Sequence, residues 1–320
     1  MHSIPNPFRD IATLADAWSA AVDRYPDEVA LVPPTSAPLT YREADRYINA
    51  LARRLHGCGL QPGDPVHVMM PMTLEGWCLL WASSRLGLLT VLLDPRMTLS
   101  ALNDRLALCP SRLLITTSDR AKEIESIGVE ILTVDHVPDD RGAELPSRDR
   151  ADAPSLLLWT SGTTGEPKAV LHAGIGPLHG GGCTVHHYGW APGFRVATPG
   201  GMHTIGALRH ILGAALAGAT IVAWPTSQLH PRVVIQYLRE RRVNHVHSNP
   251  AFYRWLTDPR AGEIGQRPPA IGLLSSAGAP LAEPLRARYG EIWDLPLWNH
   301  IGSTESGGFS MGDWSFPRLG

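Results

Sequence analysis

The chain has 320 residues, 44% of them hydrophobic, enough to bury one large core or two smaller ones. A formal net charge of −2 gives no electrostatic footprint for nucleic acid or for an anionic membrane surface, so neither partner is expected. Four cysteines, Cys58, Cys78, Cys109 and Cys183, lack disulfide or metal-ligand spacing, which suits a reducing compartment and a cytoplasmic protein.

The opening residues, Met1 to Pro7, contain no apolar stretch resembling a signal peptide. Thr40 and Glu43 form a capping box, and Ala44, Ile48, Leu51, Ala52 and Leu55 recur at helical spacing, so a helix begins near Thr40 and ends by Gly57. Val66 to Met70 reads as a strand. The apolar region Leu74 to Leu93 is interrupted by Glu75, Ser83, Ser84 and Arg85, so it predicts a buried helix and strand rather than a membrane span. Leu113 to Thr116 and Ile131 to Val134 are further short apolar runs. Between Asp135 and Pro154 the composition turns to Asp, Arg, Pro and Ser, the mark of a solvated linker or long loop.

Strand candidates follow at Ser155–Thr160, Thr220–Trp224, Val243–His247, Ile271–Ser275 and Leu295–Asn299. Helices near Ile205–Leu216, Val233–Arg241 and Leu281–Tyr289 fall between them. Alternation of this kind implies an α/β protein with mainly parallel sheets covered on both faces. The expected division is a first α/β subdomain over residues 1–134, a polar linker or loop over 135–154, and a second α/β subdomain over 155–320.

One segment carries the chemistry. An apolar run, Leu156-Leu157-Leu158-Trp159, enters Thr160-Ser161-Gly162-Thr163-Thr164-Gly165-Glu166-Pro167-Lys168-Ala169-Val170. Glycines let backbone N–H groups approach and surround phosphate oxygens, the hydroxyls add donors, and Lys168 adds a mobile positive charge. The Walker loop is excluded, since no Gly-Lys-Ser/Thr stands at the required spacing. The competing reading is a polar hairpin turn between two strands.

This segment resembles the phosphate-binding signature of the adenylate-forming superfamily, which includes acyl-CoA and aryl-CoA ligases, nonribosomal adenylation domains and luciferases. The chief departure is Ala169, where that family usually has glycine. Leu171-His172 looks most like the acetate- and benzoate-activating branches. The resemblance spans nearly the whole chain. Tyr41-Arg42-Glu43 and Gly59-Leu60-Gln61-Pro62-Gly63-Asp64-Pro65-Val66 match the family's first helix and following turn, and Asp94-Pro95 its next unit. Met202-His203-Thr204-Ile205-Gly206 resembles the segment beside the acyl pocket. Ala277-Gly278-Ala279-Pro280-Leu281 resembles the segment against adenine, and Ile301-Gly302-Ser303-Thr304-Glu305 the one contacting adenine, α-phosphate and magnesium.

The resemblance implies the large domain of an AMP-forming ligase, built of two mainly parallel sheet/helix subdomains, which uses ATP, Mg²⁺ and CoA and holds acyl-AMP as a bound intermediate. Thr160, Ser161, Gly162, Thr163, Thr164, Gly165 and Lys168 would hold the leaving phosphates. Thr304 would contact the α-phosphate, and Glu305 would ligate Mg²⁺. Ala277, Gly278, Ala279, Pro280, Ile301, Gly302 and Ser303 would surround the nucleotide; His203, Ile205, Gly206, Ser276 and His300 would line the acyl pocket. The family continues into a small C-terminal domain bearing the adenylation lysine. That domain is expected to be absent here and supplied in cis or in trans, leaving the chain alone poorly active.

Ile301 in place of an aromatic residue forfeits about 0.5–1.5 kcal/mol of stacking on adenine, and Ala277 in place of glycine adds a methyl group near the ligand. Both departures, with Ala169, keep open a specialist in the thioester half-reaction that accepts preformed acyl-AMP. Loading of a carrier-protein thiol and a non-catalytic ligand-binding remnant are further alternatives. No aspartate lies between Pro199 and Arg209 to pair with a substrate ammonium, which disfavours an amino acid. Small residues in the expected pocket segments point to a bulky hydrophobic or aromatic acid. His179-Gly180-Gly181-Gly182 has the look of an esterase oxyanion loop, but no Gly-x-Ser-x-Gly elbow exists, so these glycines are expected in a flexible loop.

Overall fold

The computed structural model of the chain describes residues 11–137, 142–161, 167–224, 230–258 and 265–307. In chain order the elements begin with α1 (Leu14–Arg24), β1 (Val29–Val32), β2 (Leu39–Thr40), α2 (Tyr41–Gly57), β3 (Pro65–Val68), α3 (Leu74–Arg85) and β4 (Leu89–Leu92). They continue through α4 (Leu99–Leu108), β5 (Leu113–Thr116), α5 (Ser118–Glu123), β6 (Glu130–Thr133), β7 (Pro154–Ser161), β8 (Pro167–Ala173) and α6 (Ile175–Tyr188). The remainder comprises β9 (Arg195–Ala197), α7 (Ile205–Ala217), β10 (Thr220–Val222), α8 (Pro231–Glu240), β11 (His245–Ser248), α9 (Pro250–Leu256), β12 (Leu273–Ala277), α10 (Glu283–Trp293) and β13 (Leu297–His300).

Local chemistry sets these elements. The Thr40 side chain accepts from the Glu43 N–H at 3.2 Å, and Glu43 accepts from the Thr40 N–H at 2.8 Å, closing the expected capping box. From there α2 buries Ala44, Ile48, Leu51, Ala52 and Leu55 on one face. The apolar stretch after Leu74 becomes α3 and β4, as expected, and α3 is buried from Gly76 to Arg85. Trp18 packs against Trp77 and Trp81 with ring centroids 5.2 and 5.0 Å apart, so three of the chain's tryptophans are core rather than platform. Among the described residues no helix is long and apolar enough to cross a membrane.

The strands form two sheets, ordered β13-β12-β11-β9-β10-β1-β2 and β6-β5-β3-β4-β7-β8. All pairings are parallel except β1 with β2 and β7 with β8. The α/β expectation holds, but the sheets are not partitioned at 134 and 155. β1 leaves the first stretch of chain to pair with β10, while β7 and β8 join the sheet built from residues 65–133. The reason is burial: Leu31 and Ile221 are partners in register and both belong to a hydrophobic core that also takes Leu156 and Leu158. The described part of the polar segment, from residue 142, has no regular element before β7, but it is pinned rather than free-running. Arg85 pairs with Glu144 at 2.7 Å, and Ser84 donates to Asp149 at 2.7 Å.

The glycine run after His179 is the second correction. It lies inside α6, not in a loop. An added Cβ at Gly181 would stand 2.8 Å from the Gly213 nitrogen, and one at Gly213 would stand 2.9 Å from the Gly181 oxygen. Glycine is required at this crossing because the backbones of α6 and α7 touch there.

Candidate functional site

Parallel strands leave their ligand sites at their carboxyl ends. Here β9 runs out into Thr198 and Gly200, β11 into Ser248 and Asn249, β12 into Ala277 and Gly278, and β13 into His300, Gly302 and Ser303. All of these residues line one cavity of about 620 Å³. The other sheet contributes Trp159 and Thr160 from β7 and Lys168 from β8, and Thr304 and Glu305 close the same cavity. The acyl-side residues His203, Ile205 and Gly206, at the start of α7, line it too.

The expected residues thus divide. Thr160, Lys168, His203, Ile205, Gly206, Ala277, Gly278, His300, Gly302, Ser303, Thr304 and Glu305 share the cavity. Ser276, Ala279, Pro280 and Ile301 are not among its lining residues. Strand alternation accounts for two of these: Ser276 is fully buried beside Ala277, and Ile301 is 59% exposed next to the buried His300. Gly162, Thr163, Thr164, Gly165 and the side chain of Ser161 lie outside the described residues. The strands flanking that segment pair antiparallel up to Ser161 opposite Pro167.

Electrostatics follow the geometry. Glu305 is held below the ordinary carboxylate range by its own backbone N–H and the Ser303 hydroxyl, with Lys168 and His172 adding to the effect. His172 lies beside the Thr304 backbone. Burial lowers its pKa, while that backbone and Glu305 pull it back up. Across the cavity wall, His203 stands 3.5 Å from Asp94. Burial depresses the His203 pKa, Asp94 raises it and Arg96 lowers it. Burial works against Asp94 as an anion, but side-chain and backbone hydrogen bonds from Arg96 outweigh it and hold Asp94 below its usual value.

Behind the cavity is a layer of imidazoles. Ser275 Oγ lies 2.7 Å from His245 Nε2 and 2.8 Å from His247 Nδ1, and the His210 and His247 rings stack at 3.9 Å. His210, His245 and His247 are all pushed well below the ordinary histidine value, chiefly by burial. Tyr188 shares a hydrogen bond with His300 Nε2. Sequence reasoning missed Thr198, Arg209 and His247 as lining residues. Arg209 and His210 are polar interruptions of the otherwise apolar α7, which was the available signal for Arg209.

The family model of the AMP-binding enzymes matches residues 18–319. The chain belongs to this family. Phosphinothricin tripeptide synthetase PhsC of Streptomyces viridochromogenes is 29% identical over 92% of this chain and 27% of its own length. The 3-hydroxybenzoate/4-hydroxybenzoate–CoA ligase of Thauera aromatica is 29% identical over 84% of this chain and 55% of its own. The chain therefore spans about half or less of these curated relatives. The N-terminal domain of FACL13 from Mycobacterium tuberculosis superposes with a TM-score of 0.81 at 23% identity, covering 93% of this chain and 77% of that one. Nonribosomal peptide synthetase FmoA3 in its AMPPNP-bound form gives 0.84 at 22%, covering 98% of this chain and 33% of that one. The fold is that of the adenylate-forming large domain.

Proposed function

We propose that this chain is the acid- and nucleotide-binding body of an AMP-forming acyl- or aryl-acid:CoA ligase. The observation that carries the reading is the convergence of Thr160 and Lys168 from one sheet with Thr304 and Glu305 from the other, in the cavity that also holds His203 and Gly206. In the first half-reaction a substrate carboxylate oxygen bonds to the α-phosphorus of ATP and pyrophosphate leaves. In the second, the CoA sulfur bonds to the acyl carbon, its proton goes to solvent, and AMP leaves.

Each residue has work suited to its chemistry. Thr160 and Lys168 offer a hydroxyl and an ammonium to the leaving phosphates, and Thr304 offers its hydroxyl to the α-phosphate. Pre-placed donors of this kind stabilise charge that grows on phosphate oxygens. The attacking carboxylate is ionised at neutral pH and needs no general base, so His203 serves to shape the acyl side rather than to move protons.

Among the described residues Glu305 is the one carboxylate lining the cavity, and no described cluster of three His, Cys, Asp or Glu could hold a metal by itself. That donor set fits Mg²⁺ shared between a single carboxylate and phosphate oxygens. When bound, the ion neutralises phosphate charge, and Glu305 would hold it.

The acceptor thiol divides the relatives, since one is a CoA ligase and another a peptide synthetase. An amino-acid substrate is disfavoured, since no aspartate stands between Pro199 and Arg209, in the segment that carries the cavity-lining His203. ATP–pyrophosphate exchange by the complete protein over a panel of acids, followed by CoA or a carrier protein as acceptor, tests the reading. Exchange with thioester formed on CoA supports it. Thioester from synthetic acyl-AMP without exchange would replace it with the half-reaction specialist, and transfer to the carrier alone would replace the acceptor.

A further inference from the structure

Asp94 follows the end of β4 in one sheet, and His203 stands two residues before α7, which joins β9 to β10 in the other. Their side chains meet: His203 Nε2 lies 3.5 Å from Asp94 Oδ2, with the two side chains only 20% and 29% exposed. Asp94 is fixed from its other side. Its Oδ1 accepts from the Arg96 backbone N–H at 2.9 Å, and the Arg96 guanidinium donates to Oδ1 and Oδ2 at 3.1 Å each. Burial opposes charge on this carboxylate, but the bonds from Arg96 and the nearby His203 outweigh it, so Asp94 is ionised. Gly201 closes another side of the ring, and its φ of +74° favours glycine. A Cβ there would stand 2.8 Å from His203 Cε1 and 3.0 Å from Nδ1, so glycine both seats the ring and leaves Nδ1 uncovered on that side. Thr204 donates from its N–H and its hydroxyl to the Gly201 carbonyl, at 3.3 and 3.0 Å, and so holds the turn that carries His203.

The proton on this imidazole follows from its neighbours. An ionised carboxylate only accepts, and a ring lone pair turned toward it would be repelled, so the nitrogen facing Asp94 carries the hydrogen. Burial lowers the His203 pKa, against the pull of Asp94 and with the help of Arg96, so at pH 7 the ring is neutral and holds one proton. Nδ1 is then an acceptor. His203 lines the cavity with Gly200, Thr204, Ile205 and Gly206, and an acceptor in such a wall is matched by a donor on the acid. We propose that Asp94 is a positioning residue that holds His203 in its Nε2–H form, and that His203 Nδ1 selects an acid carrying a hydroxyl or amide N–H donor away from the activated carboxylate. The proposal rests on the adenylate-forming reading and deepens it, adding one polar requirement to the apolar acid suggested by the small lining residues.

The test has two arms, both on the full chain. The first is calorimetry with sulfamoyl-linked acyl-adenosine analogues: benzoyl, hydroxybenzoyl and methoxybenzoyl with the substituent at each ring position, and 3-hydroxybutanoyl against butanoyl. A hydroxylated member should bind at least about tenfold tighter than its counterparts without the donor. Asp94→Asn should cut that preference to about threefold or less, because an amide can turn either its donor or its acceptor toward Nε2. The second arm reads the ring nitrogens of isotope-labelled histidine by nitrogen NMR, with His203 assigned through His203→Gln. Wild type should show a protonated Nε2 and a bare Nδ1, and Asp94→Asn a mixture of tautomers, which a merely structural Asp94 would not produce. Should Asp94→Asn fail to fold, both wild-type measurements stand by themselves. A protonated Nδ1 in the wild type overturns the role of Asp94. Methoxy or unsubstituted analogues that bind as well as every hydroxylated one overturn the selection by Nδ1 and leave the adenylate reading intact. No binding by any analogue overturns that reading and the proposed selection with it.

Discussion

Lys168 on the edge strand β8 and Glu305 beyond the end of β13 face one cavity, and the ammonium helps to hold the carboxylate ionised. Lys168 belongs to one sheet and Glu305 follows the last strand of the other, so the relationship exists only once both sheets have formed around the shared cavity. Under the proposed function, opposite charges on one cavity would grip the magnesium side and the pyrophosphate side of a nucleotide separately.

Replacing the carboxylate separates those two tasks. Glu305→Gln in the complete protein should lower the ATP–pyrophosphate exchange rate about a hundredfold and raise the Mg²⁺ concentration needed for half-maximal rate. Binding of AMP without metal should not change. An undiminished exchange rate would remove Glu305 from the reaction.

Ser275 supports the imidazole layer from behind. Its hydroxyl is the shared partner of His245 Nε2 and His247 Nδ1, both buried. Ser275→Ala should cost about 1–3 kcal/mol for each nitrogen left without a partner, read as a lower urea midpoint at constant slope. The acid affinity should weaken with it, since His247 lines the cavity.

Close approach of α6 and α7 makes Gly213 sensitive to a single methyl group. A Cβ there would meet the Gly181 carbonyl at 2.9 Å and the Trp190 ring at 3.3 Å. Gly213→Ala should therefore destabilise by about 1–3 kcal/mol despite alanine's better helix propensity. Gly57→Ala, at a helix end with open space around it, is the control and should leave the melting temperature nearly unchanged. Equal melting temperatures for the two variants would show that the helices do not touch as described.

Acid should unfold the protein through its buried histidines. His67 is fully buried, neither ring nitrogen has a partner among the described residues, and burial lowers its pKa from 6.5 to about 4. Between those values the unfolded chain binds a proton that the folded chain does not. Stability is therefore greatest above pH 6.5 and is lost as the pH falls toward 4, by roughly 3 kcal/mol from this group. His210, His245 and His247 act in the same direction. His67→Leu should flatten the dependence of unfolding free energy on pH over that window, and an unchanged slope would count against a neutral His67.

Most elements were legible because they depend on near neighbours. The Thr40–Glu43 box, the short β-branched and leucine runs, and the alternation of strands with helices all fix local conformation and hence an α/β class. The placement of β1 was not legible, since pairing with β10 is decided by burial of Leu31 against residues far along the chain. The glycines of α6 were misread for the same reason: without the neighbouring helix, nothing marks Gly181 as a contact point.

Residue type and order by themselves determined the family and the two charged ends of the site, because phosphate chemistry requires glycines, hydroxyls, a lysine and a carboxylate that few other tasks need together. Tertiary structure alone decided what stands between them. Arg209, His247 and Thr198, from α7, β11 and the end of β9, join one cavity wall where α7 packs on the sheet at β10 and β11. No spacing rule records that, because side chains distant in sequence share a wall only once the backbone has closed around it.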